Sequence, residues 1–483
     1  MNRINTFLSR LSKPVDLTAG TPWKVILKYS LPIIISYLLQ EIYILTDAII
    51  CGQVLSAGEV AGVNDTFPLT FIFIQFAFGC TAGFSVITGK YAGQNDTHGV
   101  RKSLVTQTLL TIAVSAVLTV VSITLLPWLL GLINLTPASG EVYRAAYSYC
   151  YVIFLGTVAQ MGYNMICGVL RAYGDSVTPL IFLVISTVLN IVIDIVFLVP
   201  LHMGPSGAAL ATVIAQLISF IACMAYTFIK YRELCPKKED FAPDMQSVFN
   251  HLKQGIPLGL QYSVLAIGII VMQGAVVKYD ISPDGAMIAG APAQNGFGAA
   301  NKLINFLMAP FSGLGSAMIG YTSQNLGKGD RKRIRRGAIQ SIIIMLIIFA
   351  ACFAVGMLLS INGAYQYIFM SPEKISADTI RYGNTLLYVD LILYAGVGFL
   401  IVVRSTVQGM CLPLWVLAAG TSELAARVLI CTFLPGIING APVNSSASTL
   451  SFAAVCFGDP GAWILASLVL LIPLFKHVLR ETD

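Results

Sequence analysis

The sequence predicts an all-α membrane protein with about twelve transmembrane helices in two parallel-repeat six-helix lobes, and three observations carry that expectation. The first is composition. Of 483 residues, 56% are hydrophobic and only 11% charged, with a mean hydropathy of +0.79, far more apolar than a soluble globular chain. The second is spacing: each crossing helix takes ~20 residues plus a short connection, which leaves room for about twelve spans and no large soluble domain. The third is internal likeness. Leu27-Lys28 with Leu31-Pro32 matches Leu252-Lys253 with Ile256-Pro257, and the turn Gly93 to Asp96 before Val100-Arg101-Lys102 matches Gly327 to Asp330 before Ile334-Arg335-Arg336. Gly174 before Pro179 answers Gly409 before Pro413 more weakly. The boundary falls in the polar segment Tyr231 to Asn250, giving lobes over 1–240 and 241–483. An even number of spans per lobe inserts both in the same orientation, related by an axis along the membrane normal.

Apolar runs separated by polar, Gly- or Pro-bearing turns place the spans in order at 28–52, 61–88, 103–131, 145–170, 179–200, 206–230, 252–277, 287–321, 337–361, 381–403, 413–438 and 460–476. The eighth run is long for one span and is expected to begin as an irregular segment around Ala289 to Gly298. The polar N-terminus has no apolar core before Trp23, so the first span serves as an uncleaved entry signal. Lys and Arg concentrate in alternate loops, leaving Arg144, Lys278, Lys374 and Arg381 in the other set and Lys302 and Arg427 within spans. That asymmetry puts both termini in the cytoplasm and the protein in the cell membrane.

The net charge of +6 therefore reports topology, and no nucleic-acid partner is expected. The ten cysteines form no CxxC or Cys/His cluster. Neither a metal site nor a disulfide framework follows, and no cofactor is expected. His98, His202, His251 and His477 lie at loops or helix ends without ligand spacing and read as surface groups.

Candidate functional residues are the ionisable groups at membrane depth, because a carboxylate in hydrocarbon costs at least a few kcal/mol and is rarely kept without a role. In PLIFLVISTVLNIVIDIVFLVP, Asn190 and Asp194 are four apart and share a helix face. Asp47 lies ~8 Å below the outer end of the first span, Asp194 ~9 Å below Pro200, and Thr212 ~9 Å below Ser206, a common layer. Two carboxylates, an amide and a hydroxyl in one layer suit a proton or a hard monovalent cation such as Na⁺. Gln40, Tyr43 and Asp47 follow i, i+3, i+7 and line one face of the first span, while Glu41 points elsewhere. Glu423 and Arg427 are four apart in the eleventh span and read as a self-neutralising structural pair. Asp390 and Lys302 either pair with one another or line a cavity.

These residues match a family. DLTAGTPWKVILKYSLPIIISYLLQEIYILTDAIICG, GVLRAYGDSVTPL, STVLNIVIDIVFL, GPSGAALATVIAQ and GTSELAARV together resemble the multidrug and toxic compound extrusion (MATE) transporters, over nearly the whole chain. The resemblance is to the prokaryotic branch with an Asp, Asn, Asp and Thr site in the N-terminal lobe, which falls on Asp47, Asn190, Asp194 and Thr212. It implies coupling to H⁺ or Na⁺ there and a first helix that bends as the lobe changes state. Gln408-Gly409-Met-Cys-Leu-Pro413 departs from the family's longer basic turn. Some members hold the coupling cation in the C-terminal lobe; here the seventh span offers Gln261 and no carboxylate, so Asp390 alone remains and that site is not carried over.

The resemblance thus implies an antiporter, not an enzyme, that exports small amphipathic or cationic organic compounds by alternating access and acts as a monomer in the lipid bilayer. Gln40, Tyr43, Gln261 and Asp390 are the candidates for its substrate cavity. An alternative within the same superfamily is a flippase for lipid-linked oligosaccharides, which the GDSxTP turn and the Asn190/Asp194 pair disfavour. A third reading, an intramembrane enzyme with Asp47 and Asp194 as an aspartyl dyad, would show itself as peptide cleavage without any ion gradient.

Overall fold

The computed structural model describes residues 14–242 and 244–480, and among them no strand forms beyond one isolated bridge between Ile281 and Met287. In the first half α1 (Pro22–Val54) is followed by the short α2 (Ala57–Asp65), then α3 (Phe67–Gly93) and α4 (Thr97–Leu132). The pair α5 (Glu141–Leu155) and α6 (Thr157–Ala172), α7 (Val177–Leu198) and α8 (Gly204–Lys230) complete it. The second half holds α9 (Met245–Val277), α10 (Pro292–Lys328), α11 (Arg331–Ser360), α12 (Ala377–Gly409), α13 (Pro413–Asn439), and the short α14 (Thr449–Cys456) leading into α15 (Gly458–Pro473). Among the described residues eleven segments are long and apolar enough to cross a membrane, and α5 with α6, bent by 46°, brings the count to twelve when the pair is taken as one span.

The bend was not legible in the apolar run. It falls at Gly156, where an added Cβ would collide with the Val213 side chain, so α8 packs into the break. The eighth span also differs from expectation: helix begins at Pro292. The Asp280 carboxylate accepts from the N–H groups of Ala293 and Gln294 at 2.8 and 2.9 Å, which fixes the start of α10.

Matched sequence turns become matched structure. Asp96 caps α4 by accepting from the Gly99 N–H, and Asp330 caps α11 by accepting from the Arg333 N–H, both at 2.9 Å. The two turns also touch reciprocally: a Cβ on Gly93 would strike the backbone of Gln324, and one on Gly327 would strike that of Lys90. Gln324 and Lys90 stand three residues before the equivalent glycines, so each turn meets the other as a two-fold axis requires.

Along α3 and α9 small residues face small residues. Built Cβ atoms at Gly83 and Gly79 would lie 2.6 Å from the Gly255 Cα and 2.7 Å from the Gly259 Cα, the close backbone approach that small-xxx-small spacing permits in a bilayer. His251 bolts the same contact. Its ring is fully buried rather than on the surface, with Nδ1 2.8 Å from the Ser247 carbonyl and Nε2 2.8 Å from the Ser103 hydroxyl. Ser103 continues to Thr88, which accepts from Gln107 Nε2 at 2.6 Å. A four-residue rise in the sequence could not show which face of α9 meets α4.

Of two further ties, the first anchors the connection between the halves to α4 and the second joins the halves. In the segment between α8 and α9, Asp240 receives Arg101 Nε at 2.8 Å and the Lys237 N–H at 2.8 Å, with His98 Nδ1 2.9 Å from its other oxygen. Residues 15–20 form a strap between the halves. The Val15 N–H donates to Gly174 of the first half, while Arg333 of the second donates to the carbonyls of Leu17, Ala19 and Gly20 at 3.2, 2.6 and 2.6 Å. Outward faces remain apolar, as in the stripe Ile112, Val117, Val120 and Trp128 of α4, which suits contact with lipid tails.

Candidate functional site

The site is organised by α7, whose buried positions recur every four residues: Phe182, Ser186, Asn190, Asp194 and Leu198. The intervening Val188, Val192 and Ile195 are exposed, so the polar stripe turns inward against α1 and α8. Asp194 is fully buried and its carboxyl faces that of Asp47 on α1 within hydrogen-bonding reach. Asn190 Nδ2 donates to Thr212 Oγ1 of α8 at 3.3 Å, and the Tyr43 hydroxyl lies 3.3 Å from the same oxygen. The four residues singled out by depth are therefore brought into one cluster, with Tyr43 attached to it.

Its chemistry is set by what the oxygens lack. Asp47 Oδ1, Asn190 Oδ1 and both carboxylate oxygens of Asp194 are buried without an aligned hydrogen-bond donor. Buried acceptors without donors are costly. No Lys or Arg pairs with either carboxylate among the described residues, and a proton or a cation is the kind of partner such oxygens suit. An all-oxygen donor set of this kind fits a hard cation.

On the side of this cluster nearer the start of α1, the first half holds a partly open cavity of about 140 Å³. Gln40 and Tyr43 line it, as expected, together with amides not anticipated from sequence: Gln75, Gln160, Asn164 and Gln216. Arg171 lines it as well, although its position near the GDSVTP turn suggested a loop. Neutral amides carry no intrinsic signal in a single sequence, and only the packing of α3, α6 and α8 reveals that they converge.

Gln261 and Asp390 do not line this cavity. Gln261 is buried against Gly420 of α13, and Asp390 is fully buried in α12 with both oxygens unpartnered, near Arg427 and Asp459. Lys302 does not reach Asp390 either; it is exposed, 6.0 Å from the Phe369 ring. Glu423 and Arg427 prove less self-contained than their spacing implied. Their nearest approach is 3.9 Å, while Glu423 is bound by Arg404 and Arg427 Nε donates to Asp459 at 2.7 Å. The unit is a four-membered chain across α12, α13 and α15, buried at Glu423 and Arg427 and half-buried at Arg404 and Asp459. Spacing within one helix could not disclose partners 19 and 32 residues away.

Comparison with known proteins decides the family. The MatE family profile matches residues 32–196 and 287–438, spanning both halves. The chain belongs to the MATE transporter family. It is 31% identical over 324 residues to a probable multidrug resistance protein of Bacillus subtilis, covering 67% of this chain and 69% of the relative. It is 24% identical over 336 residues to a protein of Shewanella oneidensis named a FAD transporter, covering 67% and 70%. A solved structure described as the outward-facing conformation of a multidrug resistance MATE family transporter superposes with a TM-score of 0.82 at 21% identity, covering 96% of this chain and 98% of the other. At that identity the superposition carries the fold. Membership makes this MATE protein a multi-pass transporter, and the aspartyl-enzyme reading falls away with it.

Proposed function

We propose that this MATE protein exports small organic compounds from the cytoplasm by alternating access, driven by H⁺ or Na⁺ moving inward through Asp47, Asn190, Asp194 and Thr212. The observation that carries the reading is the oxygen cluster without donors, joined to the cavity through Tyr43. Two adjoining carboxylates in apolar surroundings hold their charge only with a cation between them, so binding and release change the net charge of the layer. Tyr43 is shared by the cluster and the cavity wall, and a shift of α1 that repositions Asp47 also repositions Tyr43 and Gln40. The names of the relatives support small-molecule export, since one is called a multidrug resistance protein and another a FAD transporter. The distribution of Lys and Arg supports a cell-membrane location with cytoplasmic termini, and the protein acts as a monomer in this reading.

The test is export from proteoliposomes with pH and Na⁺ gradients imposed separately. Asp47→Asn and Asp194→Asn each keep the side-chain shape but lose the charge, and are expected to abolish gradient-driven export while the protein still inserts. Asn190→Ala should weaken coupling less, and Thr212→Val should shift apparent cation affinity. Parental rates in both Asp variants under each gradient would place coupling elsewhere.

A further inference from the structure

The geometry points to an anion-accepting end in the substrate cavity: Arg171 receives the carboxylate, phosphate or other oxyanion group of the exported compound. This rests on the export reading for its physiological meaning, though not for its test. Among the residues lining the cavity, Arg171 is the one carrying a charge; the rest are amides, hydroxyls, aromatic rings and apolar groups. To an organic cation the lining offers ring faces and neutral dipoles but no carboxylate. Here the carboxylates of Asp47 and Asp194 stand outside the lining, behind Tyr43.

Arg171 has no counter-ion among the described residues. Nε donates to the Cys167 carbonyl at 3.3 Å and Nη1 to the Ser316 hydroxyl at 3.1 Å, both neutral acceptors. Its nearest acid in sequence, Asp175, is committed elsewhere. One Asp175 oxygen accepts from Lys230 Nζ, the Tyr231 hydroxyl and the Thr178 hydroxyl at 2.7, 2.7 and 2.6 Å, and the other accepts from the Val177 and Thr178 N–H groups. A guanidinium has five N–H donors; the bonds to the Cys167 carbonyl and Ser316, with the Cys167 thiol beside it, leave donors over. A planar fork with donors left over, on a residue of the cavity lining, matches a bidentate oxyanion.

The walls describe the rest of the ligand. Tyr37, Tyr163 and Phe78 offer ring faces, and Gln75, Gln160 and Asn164 offer both donors and acceptors. An aromatic, hydrogen-bonding molecule with an anionic group fits this lining, whether a net anion or a zwitterion. Arg171 is thus a specificity-determining residue, distinct from the cation-coupling cluster.

The test compares two dyes with the same xanthene ring and opposite charge, dianionic fluorescein and cationic rhodamine 123, by fluorescence polarisation on purified protein in detergent without any gradient. Benzoate and phenyl phosphate as competitors distinguish carboxylate from phosphate preference. Arg171→Gln is expected to lower the fluorescein-to-rhodamine affinity ratio by roughly tenfold or more, and Arg171→Lys, which keeps the charge but loses the fork, by less. Ser316→Ala removes the contact to α10 while leaving the guanidinium, and should change the ratio by less than about twofold. The proposal is overturned if the parental protein binds no fluorescein, if Arg171→Gln leaves the ratio unchanged, or if Ser316→Ala shifts it as far as Arg171→Gln does. Should Arg171→Gln fail to fold, an unchanged ratio in Arg171→Lys together with no competition by either oxyanion overturns it. Intact fluorescein binding in a protein that shows no gradient-driven export would instead count against the coupling reading alone.

Discussion

Arg427 shows what a single position can and cannot disclose. Its charge at membrane depth and its spacing from Glu423 are visible in the sequence, yet its 2.7 Å bond runs to Asp459. Arg404, one residue past the tenth span expected at 381–403, is the residue that neutralises Glu423. Asp47, Asn190, Asp194 and Thr212 were legible because charge and amide groups stand out in apolar runs and helix rise converts position into depth. Arg171 and the cavity amides were not, since their meaning depends on which helices touch. The buried chain yields a prediction: Glu423→Gln or Arg427→Met strands a charged partner and should cost ~3–5 kcal/mol, read as lower yield of folded protein and a lower unfolding temperature. The ion dependence of the remaining activity should stay as in the parent; a lost ion response at normal yield would instead make this chain part of coupling.

Helices pack here according to features of differing visibility. The four-residue stripe of α7 can be read directly, because alternation of Ser186, Asn190 and Asp194 with Val and Ile is unmistakable. The bend at Gly156 cannot, because the glycine matters only through Val213 of α8. Gly83 has a comparable dependence on its neighbour, with α9 backbone 2.6 Å from where a Cβ would sit. Gly83→Val is therefore expected to force α3 and α9 apart and destabilise the protein by ~1–3 kcal/mol or more, detected as a lowered unfolding temperature in detergent. Gly298, with open space around its Cβ position, serves as the contrasting site.

The connection between α8 and α9 adds a pH-dependent element. Burial alone would raise the Asp240 carboxyl, but the Lys237 N–H, the Arg101 guanidinium and His98 outweigh it and hold it below the usual carboxylate range. A lowered folded value means that the stabilisation is fully present above the unfolded value of about 3.9 and disappears as pH falls through the folded one. The unfolding-temperature gap between the parent and Asp240→Asn should accordingly hold steady near neutrality and close on strong acidification. A gap that widened with acid would contradict the arrangement.

Across the whole molecule, the even number of spans and the concentration of Lys and Arg in alternate loops predict sidedness. Reporters placed within Lys237–Gln246 or Lys328–Arg336 should be cytoplasmic, and one within Asn439–Ser451 external; an external signal from the first two would reverse the orientation. The likeness of the Gly93 and Gly327 turns was legible in the sequence as paired motifs, whereas their reciprocal contact was not, because a match between two segments does not say that they meet. The strap was not, because Arg333 binds it through main-chain oxygens, which every residue type possesses. That mode of attachment separates the information in the strap from its chemistry. Exposed Ala19 can be replaced by most residues without disturbing a single donor, whereas buried Leu17 and the left-handed Gly20, at φ 75°, constrain the path itself. A saturation library over 17–20 and 333 should record this as tolerance at 19 and intolerance at 17, 20 and Arg333, a pattern in which the residue making the contact is irreplaceable and one of those contacted is nearly anonymous.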